Sequence, residues 1–342
     1  MMFSDNGKIS VRQFQCLIIS DFTAMFMTII PLVMFGKGTE GIILEVSVAF
    51  AIGALVLCGV SKIAPKKKNN NVLKALCLFL FCKTLFVNGV YISTAQKVIS
   101  QFVFDGAGSG SIVFLFVLSA FYICLSGIES RGRMAEISAF FILAASAVIF
   151  ALVFSKGDIR EMKYALDIGK ADMGEIARAL LLMGGLETLY FTLPDMNAKK
   201  SSAASVSFGI VGVIILVMMS LSICIFGAEA GRKMWPVFQM MGNIDFPGLL
   251  LQRQDVLFIG MYIVGAVMFC AHTVHFMWVY AGKIFESVDK KYIVAASAVM
   301  VWIFCIFWGR DALTEKFFTA VLVLNAMAAV FAVFYMLVWG EV

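Results

Sequence analysis

The sequence predicts an all-α polytopic membrane protein that crosses the bilayer ten times, with both termini cytoplasmic. Three observations predict it: the composition, the spacing of apolar runs and the placement of Lys and Arg. Of 342 residues, 61% are hydrophobic and 14% are charged, and the mean hydropathy is +0.95. Soluble domains carry about 45–50% apolar and about 25% charged residues, so this chain has too few charges for a water-facing skin. That excludes a soluble enzyme, a secreted disulfide scaffold and a nucleic-acid-binding domain. It also makes the net charge of +5 a matter of topology.

A spanning helix needs about 20 mostly apolar residues. Such runs lie at 11–35, 41–61, 73–103, 110–127, 136–155, 173–194, 201–226, 255–281, 291–309 and 313–339. The first follows MMFSDNGKIS, which lacks the short apolar core and small-residue cleavage site of a signal peptide, so it is expected to persist as a signal anchor. The third is long enough to tilt or project. The sixth is the most interrupted, by Glu175, Arg178, Gly184, Gly185 and Glu187, with Pro194 near its end.

Orientation follows from the short inner segments, each of which holds at least two basic residues. These are Lys8 and Arg12; Lys62, Lys66, Lys67, Lys68 and Lys74; Arg131 and Arg133; Lys199 and Lys200; and Lys283, Lys290 and Lys291. They number fourteen against ten in the outer segments, most of the latter in the two longest loops, 156–172 and 227–254. The lysine run at 66–68 also offers charge to anionic lipid, though fixing topology is its main expected task. Eight cysteines sit inside apolar runs without the paired spacing of a zinc site, so they read as small hydrophobes, and neither metal nor cofactor is expected.

Ten spans divide as five plus five. The chain is then one membrane domain over 1–342, with a first repeat over 11–155 and a second over 173–339. An odd number of spans per repeat makes the two inverted, as in many secondary transporters whose binding site lies where the first helix of each repeat is broken. Gly184 and Gly185, in the middle of span six, each weaken a helix by about 1 kcal/mol relative to Ala, which favours an unwound stretch there. The same pair would also let a neighbouring helix approach closely. Span one has no glycine between Val11 and Phe35, and its weak points are Ser20-Asp21 and Pro31.

Ionisable residues at bilayer depth cost at least about 2.5–3.5 kcal/mol on insertion scales, so each needs a partner, a cavity or a role. Asp21, Lys83, Glu187, His272 and His275 lie inside the spans. At a rise of about 1.5 Å per residue, Lys83 and Glu187 both fall near midplane, so either a Lys83–Glu187 or a Lys83–Asp21 pair is sterically open. Such a pair would be a structural ion pair, a contact for a zwitterionic ligand or a proton-coupling site. His272 and His275 share a helix face and read as packing or interfacial histidines. Asn88 and Tyr91 continue a polar stripe from Lys83, which marks Tyr91 as a pocket-lining candidate. There is no phosphate loop, catalytic triad or carboxylate pair, so the chain is not read as an enzyme.

Several segments resemble the GerAB family of spore germination permeases, a branch of the amino acid–polyamine–organocation superfamily. They are Lys8-Ile9-Ser10-Val11-Arg12-Gln13-Phe14 at the entry to span one, and Gly127-Ile128-Glu129-Ser130-Arg131-Gly132-Arg133 with Met134-Ala135-Glu136 as a loop between spans four and five. Gly185-Leu186-Glu187 with Leu193-Pro194 is similar to the family's helix-six break. Trp235-Pro236, Phe246-Pro247 and Arg253-Gln254-Asp255-Val256-Leu257-Phe258-Ile259 match its long outer loop and the opening of span eight.

The resemblance implies a LeuT-like ten-helix inverted repeat. It also implies the nutrient-sensing subunit of a germinant receptor in the spore inner membrane, working with an A subunit (a membrane protein) and a C subunit (a lipoprotein). Small amino acids are common germinants of such receptors. One departure is that bulky Met25 and Phe26 stand where the family often has small residues, which shrinks or reshapes a pocket at a helix-one break. The expected nutrient site lies between spans one, three, six and eight, using Thr23, Ala24, Met25, Asn88, Tyr91, Gly184, Gly185, Glu187 and Thr273. Two other readings stand beside this one: a proton- or sodium-coupled amino acid transporter, and a structural receptor subunit that has lost its ligand site.

Overall fold

In a bilayer the helix that lipid does not reach marks the centre of the bundle, and here it is the first. The computed structural model describes residues 7–62, 64–65, 71–103, 109–154, 156–185, 187–192, 196, 202–242 and 255–341. Helix α1 (Val11–Met34) starts with a capping box: Ser10 Oγ accepts the Gln13 N–H at 3.1 Å, and Gln13 Oε1 accepts the Ser10 N–H at 3.0 Å. Two orphan donors are satisfied reciprocally, which pins the helix start. The most apolar stretch of the α1 segment is 83% buried, against 17% for the last helix.

The other helices are α2 (Ile42–Val60), α3 (Asn71–Phe102), α4 (Ser109–Leu125), α5 (Gly127–Phe154), α6 (Met162–Ala165), α7 (Met173–Leu182) and α8 (Glu187–Thr192). They continue with α9 (Ala203–Phe226), α10 (Pro236–Gly242), α11 (Asp255–Ile284), α12 (Lys290–Trp308) and α13 (Glu315–Trp339). Helix α1 packs on α5, α9 and α11, and α11 packs also on α3 and α4. The sole sheet among the described residues is a two-residue antiparallel pairing of Ala64–Pro65 with Gly340–Glu341.

The segments expected to share a face do meet. Ala64–Pro65, after α2, pairs with the end of the chain. Ile9 bridges Met196, Lys74 pairs with Glu286 at 3.2 Å, and Arg12 lies 3.4 Å from Glu136. At the opposite end the Gly41 N–H donates to the Tyr164 carbonyl at 3.0 Å and the Asp158 N–H to the Cys224 carbonyl at 2.9 Å. Ile9 and Gly340–Glu341, near the two ends of the described residues, therefore lie on one side of the bundle.

Two expectations are corrected and a third is met in part. Among the described residues eight helical segments are long and apolar enough to cross a membrane; the fourth is shorter, apolar over Gly110–Leu125, and the sixth is split into α7 and α8. Helix α1 is continuous through Thr23, Ala24 and Met25, so no break frees main chain there. The Thr23 and Thr28 hydroxyls instead bond back to the carbonyls of Ile19 (2.6 Å) and Ala24 (3.0 Å). The segment from Gly127 to Arg133 is helix rather than loop, because α5 starts at Gly127. Lys66, Lys67, Lys68, Asn69, Asn70, Leu186, Leu193, Pro194, Lys199, Lys200, Phe246, Pro247, Arg253 and Gln254 lie outside the described residues.

Candidate functional site

Breaking a helix inside an apolar bundle exposes carbonyls at one end and N–H groups at the other, and buried polar groups must find partners. The break after Leu182 is built around Gly185, whose φ of +101° is a conformation that side chains rarely adopt. The structure satisfies the freed groups with side chains from three other places. Tyr91 of α3 donates its hydroxyl to the Leu182 carbonyl at 3.0 Å. Asn325 of α13 donates through Nδ2 to the Leu181 carbonyl at 2.8 Å. Glu187 Oε2 accepts the Gly185 N–H at 3.1 Å, and Thr188 donates both its N–H (3.0 Å) and its hydroxyl to the Gly185 carbonyl.

The other oxygen of Glu187 takes Lys83. Nζ and Oε1 lie 2.5 Å apart, with the two side chains 1% and 9% exposed. Of the two pairings the sequence left open, the structure forms Lys83–Glu187. Such a pair offsets the desolvation of both charges only while both are present, so removing one partner is expected to cost about 3–5 kcal/mol.

Tyr91 also lines a small enclosed cavity beside α1 with Ala24, Met25, Thr28, Tyr262 and Phe269. Its volume is about 10 Å³, close to the least that holds one water. The Thr28 and Tyr262 hydroxyls bond each other at 2.8 Å across one wall. A multi-atom ligand fits there only if the walls move. Asn88 and Thr273 meet each other, with Asn88 Nδ2 donating to Thr273 Oγ1 at 3.2 Å, while Thr273 bonds back to the Phe269 carbonyl. The expected residues thus fall into three adjoining groups: the break with Lys83, Tyr91, Gly184, Gly185 and Glu187; the cavity with Ala24, Met25 and Tyr91; and the Asn88–Thr273 link. Thr23 is buried and turned back onto its own helix.

Asp21 belongs to a second charged cluster. Its Oδ2 accepts from Arg131 of α5 and lies 3.0 Å from His272 Nδ1 of α11. All three side chains are buried. Accepting His272 at a carboxylate oxygen requires the proton on Nδ1. The Phe22 ring separates the two clusters. It lies against Gly185, 3.4 Å from where a side chain there would begin, and meets His272 edge-on with centroids 5.1 Å apart. His272 is thus more than a packing histidine, whereas His275 sits against Phe276 and Trp278 as expected.

Sequence reasoning missed Arg131 and Asn325. Arg131 was assigned to a loop, yet buried Arg131, Ala135, Ser138, Ala139 and Ile142 follow a helical period that extends the fifth helix back to Gly127. Asn325 stands as a carboxamide in an otherwise apolar run, Ala320 to Phe334, which was itself the available signal.

A helical bundle with eight candidate membrane spans and a break stabilised by a buried ion pair defines a multi-pass membrane protein, not a soluble fold. Residues 71–311, well over half of the chain, match the family described as spore germination protein, and the chain belongs to that family. It is also similar to spore germination protein B2 of Bacillus subtilis (strain 168), at 21% identity over 168 residues. That alignment covers 47% of this chain and 45% of the relative, so the chain spans about half the length of the curated protein it matches.

Proposed function

We propose that this protein is the nutrient-sensing B-type subunit of a spore germinant receptor. The observation that carries this reading is the break in the sixth segment, whose freed carbonyls are held by the side chains of Tyr91 and Asn325. A ligand donor group can replace those side chains. The cavity of about 10 Å³ beside Met25 and Tyr91 then corresponds to a closed, ligand-free form that opens as nutrient enters. Ligand drives such a change only by binding one form better than the other.

In this reading the chain folds as a ten-helix inverted repeat over 11–155 and 173–339, with both termini cytoplasmic, in the spore inner membrane. The A and C subunits are its partners, and a small amino acid is the nutrient. Ligand contacts come from Ala24, Met25, Asn88, Tyr91, Gly184, Gly185, Glu187 and Thr273. Thr23 enters only if α1 moves, since its hydroxyl is engaged with Ile19.

The test is germination of spores lacking this gene, scored across a nutrient panel by release of the core's small molecules, beside amino-acid uptake by growing cells. Loss of the response to one nutrient with uptake intact supports the receptor. Normal germination with impaired uptake replaces it with a transporter.

A further inference from the structure

The break is tied to a helix that the nutrient site does not otherwise need. Helix α13 packs chiefly on α3, α7 and α8, the elements that carry Lys83, Tyr91 and the two halves of the broken segment. Its other face is apolar and open, with Val323, Val330, Val333 and Phe334 exposed. Among the described residues of α13, Asn325 is the one buried polar side chain.

A carboxamide in a membrane helix is costly unless bonded, and an apolar residue would fill the same space without that cost. What the carboxamide adds is registration. Its Nδ2 holds the Leu181 carbonyl at 2.8 Å. Its flat amide lies on Gly184, where the first atom of any side chain would sit 2.2 Å from it. Bond and close packing together fix one height of α13 against the end of α7. Any change that swings the end of α7 must either break this contact or carry α13 with it.

We propose that Asn325 couples the break to α13, so that the last helix carries the state of the break to the surface of the bundle. The inference rests on the receptor reading above and extends it: Asn325 is a positioning residue that transmits, and α13 is the output element. Coupling of this kind needs an element whose equilibrium both sites bias, and α13 meets that description by packing on both halves of the break.

Amide hydrogen exchange of the full chain in lipid nanodiscs tests it. Without ligand, Asn325→Leu should speed exchange in α13 and in the last turn of α7 while leaving α9 as in the wild type. Unchanged exchange in α13 overturns the coupling. If the leucine variant does not fold, Asn325→Ala, which leaves space rather than bulk, serves the same comparison.

With the proteinogenic amino acids supplied singly, a nutrient that alters exchange at α7 and α8 in the wild type should alter α13 too. In the variant, compared at nutrient concentrations that saturate the change at α7 and α8, the change in α13 relative to that at α7 and α8 falls at least about five-fold, the low end of typical coupling. An undiminished effect on α13 in the variant overturns the inference. No effect of any amino acid on the wild type counts against the receptor reading, while the ligand-free comparison still decides the coupling.

Discussion

Lys83 of α3 and Glu187 at the start of α8 form a buried ion pair at 2.5 Å, and the same Glu187 side chain holds the Gly185 N–H at 3.1 Å. One carboxylate therefore closes the helix break on itself and ties it to a neighbouring helix. The pair sits beside Tyr91, whose hydroxyl occupies the Leu182 carbonyl on the other side of the break.

If the pair acts as a unit, Lys83→Met and Glu187→Gln should each destabilise by about 3–5 kcal/mol, while the double variant recovers much of that loss. Apparent melting temperatures of the purified variants check it. A double variant as unstable as the sum of the singles would mean that the two charges act independently.

Gly184 and Asn325 should also show strong coupling, with a steric cause. Gly184→Ala forces an atom to within 2.2 Å of the Asn325 carboxamide, an overpacking of about 1–3 kcal/mol. Asn325→Ala removes the obstacle, so the double variant should melt above Gly184→Ala alone. No relief would place the cost of the alanine elsewhere.

Two arginines two residues apart should differ sharply. Arg131 is buried against Asp21 and His272, so Arg131→Met should cost about 3–5 kcal/mol. Arg133 pairs with Glu129 at 2.7 Å on a half-exposed surface, where a helix pair contributes about 0.3–0.5 kcal/mol. Comparable losses of melting temperature for the two substitutions would contradict the burial of Arg131.

Met25→Ala should widen the cavity that Met25 lines with Tyr91. Spores carrying it are expected to answer bulkier amino acids at lower concentration than the wild type does. A nutrient panel scored by germination rate checks this, and an unchanged preference would remove Met25 from the pocket.

Much of this architecture was legible because apolar run length is a strong signal and the helices obey it. The glycine pair read equally as a break or as a close approach of another helix, and it serves both, Gly185 in the turn and Gly184 against Asn325; Lys83–Glu187 was one of two pairings that geometry allowed. What escaped the sequence depends on tertiary partners. Asp21 was visible as an intramembrane charge, but its partner Arg131 was counted among topology-setting loop residues. The one local trace of its place in α5 is the helical period from Arg131 to Ile142, which the basic residues around it mask. The family resemblance implied a helix-one break near Thr23–Met25, yet this stretch has no glycine and keeps its own helical hydrogen bonds. Asn325 lies 144 residues from the carbonyl it holds, a separation that no periodicity reveals.

The most direct test of the central claim is the nutrient dose–response of spores carrying Tyr91→Phe, with Tyr122→Phe, an exposed position, as the control. Losing one hydrogen bond worth about 1 kcal/mol should shift the half-maximal nutrient concentration about five-fold, at wild-type receptor abundance, with the control unshifted. A Tyr91→Phe curve that overlays the wild type would contradict the account, because nutrient sensing would then not pass through the break that Tyr91 closes.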